Sequence, residues 1–182
     1  MSKLLRRAIK VSLTPAILMI AGKFVGIIIP TILYDLEFFV ENNIQGLVSI
    51  QILFTNSEVT LFVNSISNLT MILFLAIPTI YFIIKTSVYQ TTLQDPKTIV
   101  KITKLNVLKW ITKKDVSFLQ IFIWTAFLTI ASIITIIHTL DGKTYDWIGI
   151  SAGVFSLLCI WGTIKTFELE VEKIYPKENN HY

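Results

Sequence analysis

Four long apolar stretches constrain the fold of this chain more than any other feature. They cover about residues 11–34, 62–85, 116–138 and 147–164 and carry almost no charge. A bilayer core of about 30 Å is crossed by about 20 residues of α-helix, so each stretch is long enough for one crossing. The sequence therefore predicts an all-α integral membrane protein, a four-helix transmembrane bundle that forms a single polytopic domain.

Composition excludes the main soluble classes. Charged residues make up only 15% of the chain, where roughly a quarter is usual in a soluble domain. The mean hydropathy is +0.67, which excludes a disordered chain and a nucleic-acid-binding tail. The net charge of +4 reflects membrane topology, and no nucleic-acid-binding motif accompanies it. We expect a lipid bilayer and no nucleic acid among the partners.

The distribution of lysine and arginine predicts the orientation. Basic residues precede the first stretch and recur in the segment 86–115, whereas the segment 35–61 contains none. Because cytoplasmic segments retain positive charge during insertion, 86–115 is predicted to be a basic cytoplasmic loop and 35–61 an outer loop. Both termini, including the tail 165–182, are then cytoplasmic. The heavy use of Ile, Lys and Asn is typical of an AT-rich genome, which indicates a prokaryotic plasma membrane.

The outer loop is unusually apolar for an exposed segment. On a helix, one side would carry Leu36, Val40, Leu47, Ile50 and Phe54. Asn43 interrupts this stripe and Gly46 weakens a helix. We expect an interfacial helix here, packed on its own bundle or serving as a surface for a partner. An upstream extension of the second spanning helix through Val59–Val63 is the alternative at the end of this loop.

The basic inner loop is predicted to contain a helix lying on the membrane surface. Asp95-Pro96 is a favourable helix start, because proline fits the first turn and an acid favours the positive end. The residues expected to contact anionic headgroups of the inner leaflet are Lys97, Lys101, Lys104, Lys109 and Trp110. Each lysine that approaches an anionic leaflet gains about 1 kcal/mol. Alternatively, these lysines only enforce the topology.

Polar groups inside the spans are the candidate intramembrane site. Lys23 lies near the middle of the first stretch, where a charge costs at least about 2.5 kcal/mol. It is accommodated by its own bundle, paired with an acid of another protein, or part of a substrate or ion site. Thr125, Thr129 and Ser132 share one side of the third stretch. Hydroxyls there usually bond to their own helix or to a neighbour, and the alternative is a polar lining for a narrow path.

Small residues predict where helices pack closely. Gly22 and Gly26 stand four residues apart in the first stretch, as do Gly149 and Gly153 in the fourth, where Ser156 extends the small face. This spacing lets two helix backbones approach closely. The two pairs suggest one close contact within the bundle, with an oligomer contact as the alternative.

Catalytic and metal-binding motifs are missing from the sequence. There is no HExxH, no GxSxG, no cysteine cluster, no phosphate-binding glycine loop and no pair of carboxylates within the spans. We therefore expect a non-catalytic protein without a cofactor or metal. The predicted function is that of an accessory or assembly subunit, or of an immunity-type protective protein. It would act through intramembrane helix contacts with a membrane-protein partner or a second copy. The alternative is a small transporter or channel that uses Lys23 and the hydroxyl face of the third span.

Overall fold

The described part of the chain contains four long helices. The structure, a computed structural model, describes residues 3–42, 50–54, 56–92 and 118–174. The helices are α1 (Lys3–Leu33), α2 (Ser57–Thr92), α3 (Phe118–Leu140) and α4 (Asp146–Ile174). Each is long and apolar enough to cross a membrane. The prediction of four helices of spanning length is confirmed, while their insertion and orientation stay predictions.

The described residues of the outer loop form two strands where its apolar stripe predicted an interfacial helix. Strands β1 (Phe38–Asn42) and β2 (Ile50–Phe54) pair antiparallel, with Phe38 opposite Phe54 and Asn42 opposite Ile50. The physical reason is composition, because both runs are rich in aromatic and β-branched residues, which favour strands. The residues between them include Asn43 and Gly46, which disfavour a helix. The described residues therefore form helices and this one hairpin.

The start of α2 is fixed by a side-chain cap. Asn56 precedes the helix, and its Oδ1 accepts a hydrogen bond from the backbone N–H of Glu58 at 3.1 Å. This is the geometry of an N-cap, and Glu58 adds a negative charge to the positive end of the helix. Because α2 begins at Ser57, the alternative in which the second helix extends upstream through Val59–Val63 is confirmed.

A tight turn joins α3 to α4. Gly142 has a φ of 68°, a left-handed conformation that glycine adopts without strain. Its N–H bonds to the carbonyl of Thr139 at 3.0 Å, and the N–H of Lys143 bonds to the carbonyl of His138 at 2.8 Å. These two bonds form a Schellman motif, which ends α3 abruptly. The α3–α4 connection is therefore a short turn.

Two antiparallel helix pairs form the bundle, and α2 packs against all three other helices. Its Met71, Ile72 and Leu75 are almost fully buried and form the centre of the core with Trp124 and Leu128 of α3. The β-hairpin and the α3–α4 turn lie at the same end of the bundle, which we call the loop end. The start of α3 and the last turns of α4 lie at the opposite end, which we call the open end.

Helix α1 lies at the edge of the bundle. Within its most apolar window only 17% of the residues are buried, against 39% in each of the other three helices. Its exposed side carries a continuous apolar stripe of Ile9, Leu13, Ile17, Ile20, Phe24, Ile28 and Ile32. Their spacing of three to four residues places them on one face of a helix. This face suits lipid or another apolar helix.

The helices α1 and α2 extend beyond the α3–α4 turn at the loop end. The backbone N–H of Tyr145 donates to Ser65 Oγ at 3.0 Å, so the turn is level with a point well inside α2. Ser65 lies eight residues after Ser57, the first residue of α2, so at 1.5 Å per residue the helix continues for about 12 Å beyond the turn. We call this offset between the two helix pairs the step.

Two predicted segments lie partly outside the described residues. Of the basic loop, residues 86–92 belong to α2, and 93–115 are not among those described, so the surface helix stays a prediction. Of the tail, α4 continues as a helix to Ile174, and residues 175–182 are outside the described part.

Candidate functional site

Five polar residues from α1, α2, α3 and the α3–α4 turn converge where the step begins, at the level of the α3–α4 turn. We call this position the foot of the step. The five residues are Lys23 of α1, Ser65 and Asn68 of α2, His138 of α3, and Thr144 of the α3–α4 turn. We call them the polar cluster. Ser65, Asn68 and Thr144 are at most 2% exposed, so hydrogen bonds within the protein must replace those that water would provide.

Asn68 connects α2 to the other helix pair. Its Nδ2 donates to Thr144 Oγ1 at 2.7 Å and lies 3.2 Å from Nδ1 of His138. Since Nδ2 carries two hydrogens, both contacts are satisfied when Nδ1 of His138 accepts and its Nε2 carries the proton. Asn68 Oδ1 is buried without a hydrogen-bond partner in the described part of the chain. The amide therefore retains an unused acceptor within the cluster.

Lys23 supplies the positive charge of the cluster. Its backbone carbonyl accepts a hydrogen bond from Ser67 Oγ at 2.8 Å, and its half-buried side chain interacts electrostatically with His138. Among the described residues, no acidic side chain pairs with its ammonium group. The sequence placed Lys23 near mid-span, whereas the structure places it level with the α3–α4 turn. The step explains this difference, because α1 continues about 15 Å beyond Lys23.

The hydroxyl face of α3 lies elsewhere and is directed toward α4. Thr125 Oγ1 is 2.8 Å from Thr163 Oγ1, and Ser156 Oγ donates to Thr129 Oγ1 at 3.3 Å. Ser132 is 1% exposed, and its Oγ has no hydrogen-bond partner among the described residues. These hydroxyls belong to a packed interface, and the structure does not bring Thr125 or Thr129 together with Lys23. Thirteen residues of α3, about 20 Å, separate Thr125 from His138.

The glycine pairs pack within their own helical hairpins, so the single contact suggested by the sequence is not formed. A Cβ on Gly26 would lie 2.5 Å from the Cα of Ser67 in α2, and one on Gly22 would lie 3.0 Å from a backbone atom of the same helix. Gly149 faces Thr139 of α3 with similar closeness. The nearest atom to a Cβ on Gly153 would be 3.8 Å away, which is ordinary contact.

The other residues considered as lipid contacts, metal ligands or reactive groups form no further site within the described part of the chain. The proposed lipid-contact residues Lys97, Lys101, Lys104, Lys109 and Trp110 lie outside them. Over residues 3–42, 50–54, 56–92 and 118–174, no three His, Cys, Asp or Glu side chains are grouped so that they could hold a metal ion. Cys159 is a buried free thiol in α4.

Sequence reasoning missed most of the polar cluster. His138 lies near the end of α3, where it is half-buried and contacts Asn68. One signal was present, because an asparagine in an otherwise uncharged spanning helix is costly unless its amide is hydrogen-bonded. Its partners could not be found by spacing, since Thr144 lies 76 residues away in the sequence.

The fold and the cluster define a broad class. Four helices of spanning length and apolarity, packed as two antiparallel pairs, indicate a multi-pass membrane protein. No protein-family model matches the chain, and no match was found among curated proteins or solved structures.

Proposed function

We propose that the protein is a non-catalytic accessory or assembly subunit, or an immunity-type protective protein, of the cell membrane. It acts by binding another membrane protein at the loop end. The observation that carries the proposal is the Lys23 ammonium group, which is half-buried at the foot of the step with no acidic partner among the described residues. A buried or half-buried charge in a spanning helix usually has a partner.

The charge distribution supports an orientation with both termini in the cytoplasm. Described basic residues at the open end include Arg6, Lys10 and Lys165. The loop end carries the acidic residues Asp35, Glu37, Glu58, Asp141 and Asp146, with Lys143 as a basic residue among them. Because lysine and arginine are retained on the cytoplasmic side, the open end is the inner end and the step lies at the outer surface.

The step supports an interaction with a second protein. Along α1, the residues beyond Lys23 include Ile28, Ile29, Ile32 and Leu33, all at least 50% exposed. If the outer surface of the bilayer is level with the α3–α4 turn, these side chains lie outside the lipid and face water. If the outer surface is instead level with the ends of α1 and α2, the polar α3–α4 turn lies within the bilayer. A protein surface seated in the step relieves either mismatch, and an acidic group on it would reach Lys23.

The hydroxyl contacts favour this proposal over the transporter alternative. Thr129 and Thr163 donate to backbone carbonyls of their own helices at 2.8 Å, and Thr125 lies at hydrogen-bond distance from Thr163. A path for ions or polar solutes requires groups that can exchange their bonds with the passing species. In the described residues these three hydroxyls bond to the protein itself.

Co-purification with charge variants tests the proposal. The tagged full chain is extracted from membranes of its native host in mild detergent as wild type, Lys23→Leu and Lys165→Leu. A partner should purify with the wild type and with the Lys165→Leu control, which removes an exposed lysine at the other end. Lys23→Leu should weaken its binding by about 30-fold or more, since truncating one member of a buried charge pair costs about 2 kcal/mol or more. Combining Lys23→Glu with a lysine at the partner's acidic residue should restore binding.

Flux measurements distinguish the proposed function from the alternative of a transporter or channel. Wild-type protein reconstituted in liposomes should conduct neither ions nor small solutes above the level of protein-free vesicles. The proposal fails if the wild type supports flux that Lys23→Leu abolishes while fold and oligomer size are unchanged. It also fails if every partner of the wild type binds Lys23→Leu equally well.

A further inference from the structure

An apolar groove runs along the α3–α4 pair at the open end. Its volume is about 560 Å³, within the range of small-molecule sites. The walls are formed mainly by Phe118, Phe122, Ala126 and Ile130 of α3 with Ile164 and Phe167 of α4. Ala126 has the smallest side chain in this wall, so a larger side chain there would occupy part of the groove. None of these residues belongs to the polar cluster.

The groove spans about one leaflet of a bilayer. From Phe118 at the open end of α3 to Ile130 is twelve residues, which at 1.5 Å per residue is about 18 Å. Half of a hydrocarbon core of about 30 Å is about 15 Å. A helix that crosses the whole hydrocarbon core of about 30 Å would extend well beyond the groove. The length therefore fits an acyl chain that enters from one surface and ends near the bilayer centre.

The polar atoms in the groove are already hydrogen-bonded. Thr125 Oγ1 lies 2.8 Å from Thr163 Oγ1, and Thr129 Oγ1 donates to the carbonyl of Thr125 at 2.8 Å. Thr163 also bonds to the carbonyl of Cys159. No threonine hydroxyl in the wall therefore needs a polar ligand, and a hydrocarbon chain satisfies the site.

Aromatic side chains shape the entrance at the open end. The rings of Phe118 and Phe167 are 5.1 Å apart, and those of Phe118 and Phe122 are 6.4 Å apart. Beside them, the exposed Lys165 Nζ donates to Glu168 Oε2 at 2.9 Å. The entrance thus changes from aromatic to charged within one helical turn of α4, as the boundary between acyl chains and headgroups does.

We propose that this groove retains one phospholipid of the leaflet at the open end, with an acyl chain lying along Ala126. The proposal requires that the helices cross a membrane but not that Lys23 binds a partner. It can therefore stand if the accessory function fails. A free fatty acid, detergent or a partner helix in the groove would contradict it.

Native mass spectrometry of the full chain tests the proposal. Protein from bacterial membranes is purified in maltoside detergent as wild type, Ala126→Phe and Ile133→Phe. The wild type should retain one phospholipid per chain after extended washing. Ala126→Phe fills the groove and should reduce the retained fraction at least tenfold. Ile133→Phe, at a 52% exposed position of the same helix outside the groove, should leave it unchanged.

A second variant keeps the test valid if Ala126→Phe fails to fold. Phe122 is 55% exposed and Ile137 is 50% exposed, so truncating either leaves the core intact. Phe122→Ala removes part of the groove wall and should lower lipid retention severalfold, whereas Ile137→Ala should not. Adding phosphatidylcholine or oleate to delipidated protein should restore one bound molecule with the phospholipid only. Equal retention in the two matched variants, or retention of oleate or detergent alone, overturns the proposal.

Discussion

Replacing Gly26 by alanine should push α1 away from α2 and destabilise their contact. The new Cβ would lie 2.5 Å from the Cα of Ser67, 2.9 Å from Thr70 Oγ1 and 3.0 Å from the carbonyl oxygen of Ile66. Two of these atoms are backbone and cannot rotate away. Reaching ordinary carbon contact at about 3.5 Å requires a shift of about 1 Å, which also loosens the contact at Gly22.

The magnitude follows from a matched comparison with Gly153→Ala. Alanine in a helix is favoured over glycine by about 0.5–1 kcal/mol, and both variants gain this term. Only Gly26→Ala has the added overpacking cost of about 1–3 kcal/mol, because the nearest atom at Gly153 is 3.8 Å away. The propensity term cancels in the difference. Gly26→Ala should therefore be less stable than Gly153→Ala by about 1–3 kcal/mol.

Unfolding in mixed micelles measures this difference. Each variant is titrated with sodium dodecyl sulfate in a mild non-ionic detergent, and helix content and tertiary contacts are followed by circular dichroism and fluorescence. Gly149→Ala should also be less stable than Gly153→Ala, since its new Cβ would lie 2.5 Å from Thr139 Oγ1 and 2.9 Å from Thr139 Cβ, and side-chain rotation moves only the Oγ1. Equal or greater stability of Gly26→Ala relative to Gly153→Ala would refute the close α1–α2 contact.

Further predictions concern the polar cluster, the buried thiol and the topology. Asn68→Leu should lower the free energy of unfolding by about 1–2 kcal/mol through lost interhelical hydrogen bonds, and the half-buried Asn64→Leu should cost less in the same titration. The thiol of Cys159, 1% exposed, should react with maleimide only after unfolding, so rapid labelling of folded protein would contradict its burial. In a Cys159→Ala background, an impermeant maleimide applied to intact cells should label Lys143→Cys but not Lys165→Cys. The reverse pattern would invert the orientation.

The helices could be predicted because their determinants are local. Runs of about 20 apolar residues specify spanning helices, and the Schellman turn at Gly142 uses a residue type typical of helix ends. The hairpin was not predicted because short apolar runs fit a helix stripe and a strand equally well. In the outer loop, β-branched and aromatic composition favoured the strands.

The candidate site was predictable only in part. A lysine within a spanning helix is a candidate site residue because a charge there has a high free-energy cost, so Lys23 could be found from the sequence. The position of Lys23 along the bundle axis, relative to α3 and α4, depends on the offset between the two helix pairs. The lengths of the apolar stretches do not specify this offset. The partners of Asn68 depend on how α2 is rotated against α3, which is a tertiary property.

The organisation of the bundle as two helical hairpins has a consequence for assembly. The contact of α1 with α2 and that of α3 with α4 each join neighbours in sequence, so the α1–α2 half can form before α3 and α4 are synthesised. Docking of the halves then depends mainly on α2, which contacts both α3 and α4, with a smaller contribution from α1, which contacts α3. A chain divided within residues 93–117 and produced as two co-expressed fragments should reassociate in the membrane. Failure of the fragments to co-purify would show that the intact connection is needed for assembly.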